Sequence, residues 1–118
     1  MVSFVALIKN IVPKDVKNVF RLEVESEEKD KELFLEVPSI LNLFKKNDKV
    51  EVELSSSPIT SKKGESVEMN GRVYDVQKDG SKLIVHVSFW GFLSKIIFSS
   101  SSVNFQPRMD IYLNINKV

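Results

Sequence analysis

Apolar and polar residues alternate with a period of two along most of this chain. Phe20, Leu22 and Val24 alternate with Arg21, Glu23 and Glu25, and Leu33, Leu35 and Val37 with Phe34 and Glu36. Val50, Val52 and Leu54 alternate with Glu51 and Glu53. Further on, Leu83, Val85, Val87 and Phe89 alternate with Ile84, His86, Ser88 and Trp90, and Met109, Ile111, Leu113 and Ile115 with Asp110, Tyr112, Asn114 and Asn116. Successive side chains of a strand point to opposite faces, so each run predicts a strand with one apolar face. Val2–Val12, Val67–Val76 and Leu93–Phe98 bring the set to eight strand candidates.

The punctuation between these runs agrees. Glu27–Lys31 predicts a polar hairpin loop, and Lys78-Asp79-Gly80-Ser81 a tight turn on the Asp-Gly signal. Ser55–Ser66, with Pro58, Gly64 and a cluster of serines, predicts a mobile loop, and Ser99–Ser102 a second serine-rich connection. A helical turn is predicted only over Ser39–Lys46, capped by Ser39 with Ile40, Leu43 and Phe44 on one side. The expected fold is all-β: a single closed eight-stranded antiparallel barrel over residues 1–118, since closure removes exposed sheet edges. Each half carries a long strand, a hairpin and a looped return, a faint echo that suits a barrel of two similar halves.

One hairpin strains this scheme. After Val67–Val76 and the Lys-Asp-Gly turn, the return strand ends in Phe89-Trp90-Gly91-Phe92-Leu93. Continued as a strand, Phe89, Gly91 and Leu93 share one face and Trp90 and Phe92 the other. One face is expected in the core. The other needs a cover, and in a chain of 118 residues a second protein is the expected one.

Composition narrows the classes. At 42% hydrophobic and 28% charged residues the chain is an ordinary globular protein. The absence of cysteine removes disulfides, thiolate chemistry and cysteine-ligated zinc, and fits a reducing compartment. The apolar stretch near Met1 stops at Lys9, too short for a signal core or a membrane span, so a cytoplasmic protein is expected. With 17 basic and 16 acidic residues, no strong global field draws it to nucleic acid or membrane. Charge is uneven: acids crowd Glu23 to Glu36, while Lys45, Lys46, Lys49, Lys62 and Lys63 form a loose basic group. Such runs are ordinarily solvated strand faces and loops.

Catalytic chemistry is nearly missing. The lone histidine, His86, lies mid-strand opposite in parity to Val85 and Val87, where a histidine is ordinarily a surface or interface residue. The acids Glu23, Glu25, Glu27, Glu28 and Asp30 lack the ordered spacing of a calcium loop, and the glycines are scattered singly. No metal or cofactor is therefore expected. Small barrels of the oligonucleotide-binding kind do stack bases on strand aromatics. Tyr74, Phe89, Trp90 and Phe92 are candidates for stacking, with Arg72, Lys82 and Lys95 for phosphates. A free single-strand nucleic-acid-binding barrel is thus the rival reading, weakened because basic and acidic residues interleave.

At the same residues a resemblance emerges. Met69-Asn-Gly-Arg-Val-Tyr-Asp-Val, then Val85-His-Val-Ser-Phe-Trp-Gly-Phe-Leu, then Met109-Asp-Ile-Tyr-Leu-Asn-Ile resembles the C-terminal half of subunit 8 of multisubunit RNA polymerases. In that family a Tyr-Gly-(Lys/Arg)-Val-Tyr segment precedes a strand ending in Ser-Tyr-Gly-Gly-Leu-Leu, and a Val-Tyr-Leu-Leu strand closes the chain. Arg21-Leu-Glu-Val-Glu-Ser-Glu, Leu33-Phe-Leu-Glu-Val and Asn47-Asp-Lys-Val-Glu-Val-Glu-Leu resemble its N-terminal half, so the ordered match runs over nearly the whole chain. Two departures stand out. Ser55–Ser66 is short where eukaryotic relatives carry a longer acidic insertion, which looks archaeal, and Phe89 and Trp90 replace the family's tyrosine and first glycine.

The resemblance implies a barrel of two incomplete OB-folds serving as a non-catalytic piece of DNA-directed RNA polymerase, docked on the largest subunit. The expected partner-binding residues are Phe89, Trp90, Gly91, Phe92 and Leu93, with Trp90 and Phe92 as anchors.

Overall fold

The computed structural model describes residues 2–14, 18–38, 44–59, 66–100 and 104–118. Among the described residues eight strands follow one another: β1 (Val2–Pro13), β2 (Val19–Ser26), β3 (Lys31–Pro38), β4 (Lys49–Ser55), β5 (Ser66–Asp79), β6 (Lys82–Phe89), β7 (Phe92–Phe98) and β8 (Asp110–Lys117). The helical turn expected over Ser39–Lys46 falls largely outside the described residues, as do positions 60–65 of the expected mobile loop and 101–102 of the second serine-rich connection.

Every neighbouring pair is antiparallel, and the sheet closes on itself in the order β1-β2-β3-β7-β6-β5-β8-β4. Closure leaves no edge strand to invite pairing with another chain. The alternation seen in the sequence sets the inside and outside. Leu22, Val24, Leu33, Leu35, Val37, Val50, Val52, Leu54, Val85, Val87, Ile111, Leu113 and Ile115 all face the core and are essentially solvent-free. Leu35, Ile96, Leu113 and their neighbours from all eight strands thus share one cluster, the non-directional driving force for closing the sheet.

The order also divides into halves. β1, β2 and β3 form a meander with β4 returning beside β1, and β5, β6 and β7 form a second with β8 returning beside β5. The two seams are β3–β7 and β4–β8. The likeness extends to single hydrogen bonds. The long strands β1 and β5 each shift register at a bulge, next to Ile8 and Val73. The Ile8 N–H donates to the Asp48 carbonyl at 3.0 Å, and the Asn47 N–H donates to the Ile8 carbonyl at 2.8 Å. In the second half the Val73 N–H donates to the Met109 carbonyl at 2.9 Å, and the Arg108 N–H to the Val73 carbonyl at 2.8 Å. Asn47 and Arg108 both take left-handed backbone, φ 74° and 71°. Just upstream, Phe44 and Phe105 both bury against the core. Two repeats of one unit therefore make the barrel.

Gly71 is required by close approach. A Cβ there would lie 2.2 Å from the Ser88 carbonyl oxygen and 2.8 Å from a ring carbon of Phe89. Only glycine lets β5 pass this near to β6.

The β2–β3 turn is tied by the buried Ser26. Its hydroxyl donates to the Asp30 carboxylate at 2.8 Å and accepts from the N–H groups of Asp30 and Lys31. The Lys31 ammonium, 2.8 Å from the same carboxylate, and the Ser26 hydroxyl hold Asp30 below its ordinary titration range. A carboxylate so depressed stabilises the fold above its unfolded pKa, and that contribution is lost as pH falls through the folded value. Asp30→Asn is expected to be less stable than the parent at neutral pH, with the gap closing in acid. Urea midpoints of both proteins across an acid series check this, and a gap constant with pH would refute it.

Candidate functional site

The Phe89–Leu93 strip does not run through as one strand. Phe89 pairs with Phe92 across a two-residue turn, Trp90-Gly91, that joins β6 to β7. Both turn residues have positive φ, 55° and 87°. This is the signature of a type I′ turn, whose twist matches that of the flanking strands. The turn corrects the expected parity. Phe89 is fully buried, and Phe92, half-buried, shares the inward side with Ser94, Ile96 and Phe98. Leu93, expected beside Phe89, instead points out and is 54% exposed. Trp90 is 55% exposed. Two residues spent in a turn reverse the chain, so the count of odd and even positions does not carry across it.

The tryptophan sits poorly in its own backbone. Left-handed φ places Cβ against the following carbonyl, at a cost of about 1–2 kcal/mol for an ordinary L-residue, and Asn or Gly is the usual occupant. Here a bulky indole occupies the position, and its Nε1–H donates to Asn70 Oδ1 at 3.0 Å on the outer side of β5. Beside it opens a cleft of about 330 Å³ between Pro58, Ile59, Glu68 and Tyr112. On the other side of the turn, the Leu93 N–H donates to Glu36 Oε1 at 3.1 Å. The exposed apolar surface at this end of the hairpin is therefore Trp90 and Leu93.

Of the four expected nucleic-acid contacts, two share a cleft and Lys82 stands apart from them. Tyr74, 50% exposed, and Lys95 line one shallow cleft with His86 and Phe34. Tyr74 lies against the His86 ring with centroids 5.7 Å apart. Phe34, the other aromatic of that cleft, already carries two cations, Lys95 Nζ at 5.1 Å and the Arg21 guanidinium at 5.9 Å from its centroid. Arg72 pairs with Asp110 at 3.3 Å, directly across from Ser88. Lys82 lies at the other end of β6, about 20 Å away at strand spacing.

Two residues the sequence reading passed over stand on the outer side of β8. Ile111, Leu113 and Ile115 face the core, so Asn114 and Asn116 have outward parity, yet they are only 0% and 8% exposed. The Asn114 amide donates to Glu68 Oε1 at 3.4 Å, and its carbonyl oxygen, like that of Asn116, is buried without a hydrogen-bond partner. Glu53, Asn114 and Glu68 lie directly opposite one another on β4, β8 and β5, and Glu51, Asn116 and Ser66 form the adjacent row. Asparagine is depleted in strands, so two of them at alternate positions in Leu113-Asn-Ile-Asn was the available signal.

Among the described residues, no group of three or more His, Cys, Asp or Glu is placed to hold a metal ion. No helix among them is long and apolar enough to cross a membrane.

Comparison with known proteins agrees with the motifs. No curated protein matches the chain. Among solved structures, the chain is similar to a cytoplasmic molybdate-binding protein, ModG, in its molybdate-bound form. That likeness is 12% identity over 98% of this chain and 89% of the other, with a TM-score of 0.40, too low to carry an argument. The family model of the G subunit of DNA-directed RNA polymerase matches residues 1–118, the whole chain. With the ordered motifs and the barrel of two halves, that match places the chain in the family of the RNA polymerase G subunit, a component of the transcription machinery.

Proposed function

We propose that the chain is a non-catalytic subunit that docks on the largest subunit of RNA polymerase through the β6–β7 turn and supports assembly of the enzyme in the cytoplasm. It acts as one domain over residues 1–118 and has no catalytic site of its own. Trp90 is the anchor, with Leu93 beside it and Phe92 beneath; Phe89 and Gly91 shape the turn from within. The observation that carries this reading is the backbone of Trp90. A sequence that breaks a local rule, holding an exposed indole at φ 55° where asparagine would sit without strain, does so where function requires it. Aromatics of this kind dominate interfaces once desolvated.

Co-purification of the tagged subunit with the largest subunit tests the proposal. Trp90→Ala is expected to weaken assembly by about 2 kcal/mol or more. Trp90→Asn separates anchor from scaffold: relief of the left-handed strain is expected to stabilise the isolated barrel by about 1 kcal/mol in urea unfolding, while assembly still weakens. Undiminished co-purification of both variants would remove Trp90 from the role.

A further inference from the structure

Closure removes whole edge strands, but the two long strands outrun their neighbours. β5 pairs with β8 only as far as Arg72, and the two bonds between Val73 and the Arg108–Met109 segment end that ladder. From Tyr74 to Asp79, β5 has β6 on one side. Among the described residues nothing bonds its main chain on the other. Gln77, Lys78 and Asp79 are exposed, so this length of edge is open to solvent.

The groups that point outward follow from the turn. Asp79 and Lys82 flank the two-residue Gly80-Ser81 turn, whose glycine has φ 62°, and a pair so placed exchanges both main-chain bonds. Bonded and non-bonded pairs alternate, so Gln77–Ile84 is bonded too. Val76 and Lys78 therefore turn their N–H and C=O groups away from β6, about 7 Å apart along the strand.

The first half shows the same place closed. β1 pairs with β4 only through Leu7, and Ile8 takes the part of Val73. Counted past the matching bulge, Ile11 corresponds to Val76 and Pro13 to Lys78. Proline has no N–H to give, and its ring obstructs an incoming strand, a common way of blunting an edge. One copy of the edge is blunted and the other is left intact.

Main-chain donors and acceptors at strand spacing are matched by an extended polypeptide. Charge narrows the occupant further. Asp75, Gln77 and Asp79 share one side of β5, and among the described residues neither aspartate has an ion pair or a side-chain hydrogen bond. A second copy paired about Gln77 would set Asp75 directly against Asp79, and like charges so placed destabilise a sheet. A strand with basic side chains on that side meets no such opposition, and apolar ones on its other side fit beside the half-buried Val76.

We infer that the β5 edge at Val76 and Lys78 takes up, as an added strand, an extended segment of another polymerase chain in which apolar and basic residues alternate. The inference rests on the subunit reading above and adds a second contact, at the opposite end of β6 from Trp90.

The test compares the isolated subunit with the polymerase that carries it. Amide exchange over the 74–79 segment is expected to slow about ten-fold or more on assembly, and unchanged exchange would overturn the inference. Lys78→Pro repeats what Pro13 does in the first half. It is expected to leave the urea midpoint of the isolated barrel where it was and to cut retention in polymerase about ten-fold. A fall in that midpoint would show the Lys78 N–H to be used within the barrel, against the inference. Lys78→Gln keeps the N–H and is expected to be retained as the wild type is; equal loss in both variants would assign the contact to the lysine side chain and overturn the added strand. Asp75→Asn/Asp79→Asn is expected to weaken retention about three-fold at about 0.1 M salt and not at about 1 M, where the Debye length is about 3 Å. No loss at either concentration would overturn the basic character of the segment. A dimer of the isolated subunit abolished by Lys78→Pro would give the edge to a second copy, against the inference. Failure of the wild type to co-purify at all would overturn the subunit reading, whereas full retention of Lys78→Pro beside the wild type would overturn the added strand alone.

Discussion

Replacing Phe89 with alanine is expected to cost the isolated barrel about 4 kcal/mol, measured as a fall in the urea midpoint at unchanged slope. The ring is fully buried at the mouth of the β6–β7 turn, where it is one of the largest solvent-free side chains. Truncation removes its transfer free energy and leaves a cavity that the closed sheet cannot collapse to fill. Since a domain of this size is stable by only about 5–15 kcal/mol, a large share of the folded margin goes. The result separates Phe89 from its neighbour: Phe89→Ala loses polymerase because it loses the fold, whereas Trp90→Ala keeps the fold and loses the partner. An isolated Phe89→Ala barrel as stable as the parent would mean that the ring is not a core residue.

Gly71→Ala is expected to destabilise by about 3 kcal/mol, at the upper end of what overpacking costs. One methyl would have to share space with the Ser88 carbonyl oxygen, 2.2 Å from the new carbon, and with the Phe89 ring. The nearer obstacle is backbone, held in the β5–β6 ladder by the Arg72–Ser88 and Val73–Val87 pairs, so no rotamer change relieves it. The double variant Gly71→Ala/Phe89→Ala tells which obstacle matters. Removing the ring relieves the second contact only, so the coupling is expected to recover a minor part of the combined loss. Full recovery would show that the ring, not the carbonyl, excludes a side chain at position 71.

The strand content was legible because it is a matter of spacing. Leu22, Leu35, Val52, Val87 and Leu113 face inward in the barrel as their alternation required. The resemblance to the polymerase subunit was legible because its motifs are ordered along the chain, and the whole-length family match agrees. The end of the hairpin was not. Phe89-Trp90-Gly91-Phe92-Leu93 reads as an unbroken apolar strand because tryptophan is rare in a turn and carries no turn signal. Only the backbone, with both φ values positive, reveals the reversal that buries Phe89 and sends Leu93 outward. The buried asparagines escaped for a different reason: Glu53, Asn114 and Glu68 come from three strands, and the register alone lines them up.

What the sequence by itself determined was which residues point into the barrel and which family the chain belongs to, since alternation and motif order are both written along one dimension. Tertiary structure decided the rest: the circular strand order, the paired hydrogen bonds that make Ile8 and Val73 equivalent, and the turn that leaves Trp90 and Leu93 exposed. Those depend on backbone geometry and on neighbours far apart in the chain, where side-chain identity imposes little and closure of the sheet imposes much.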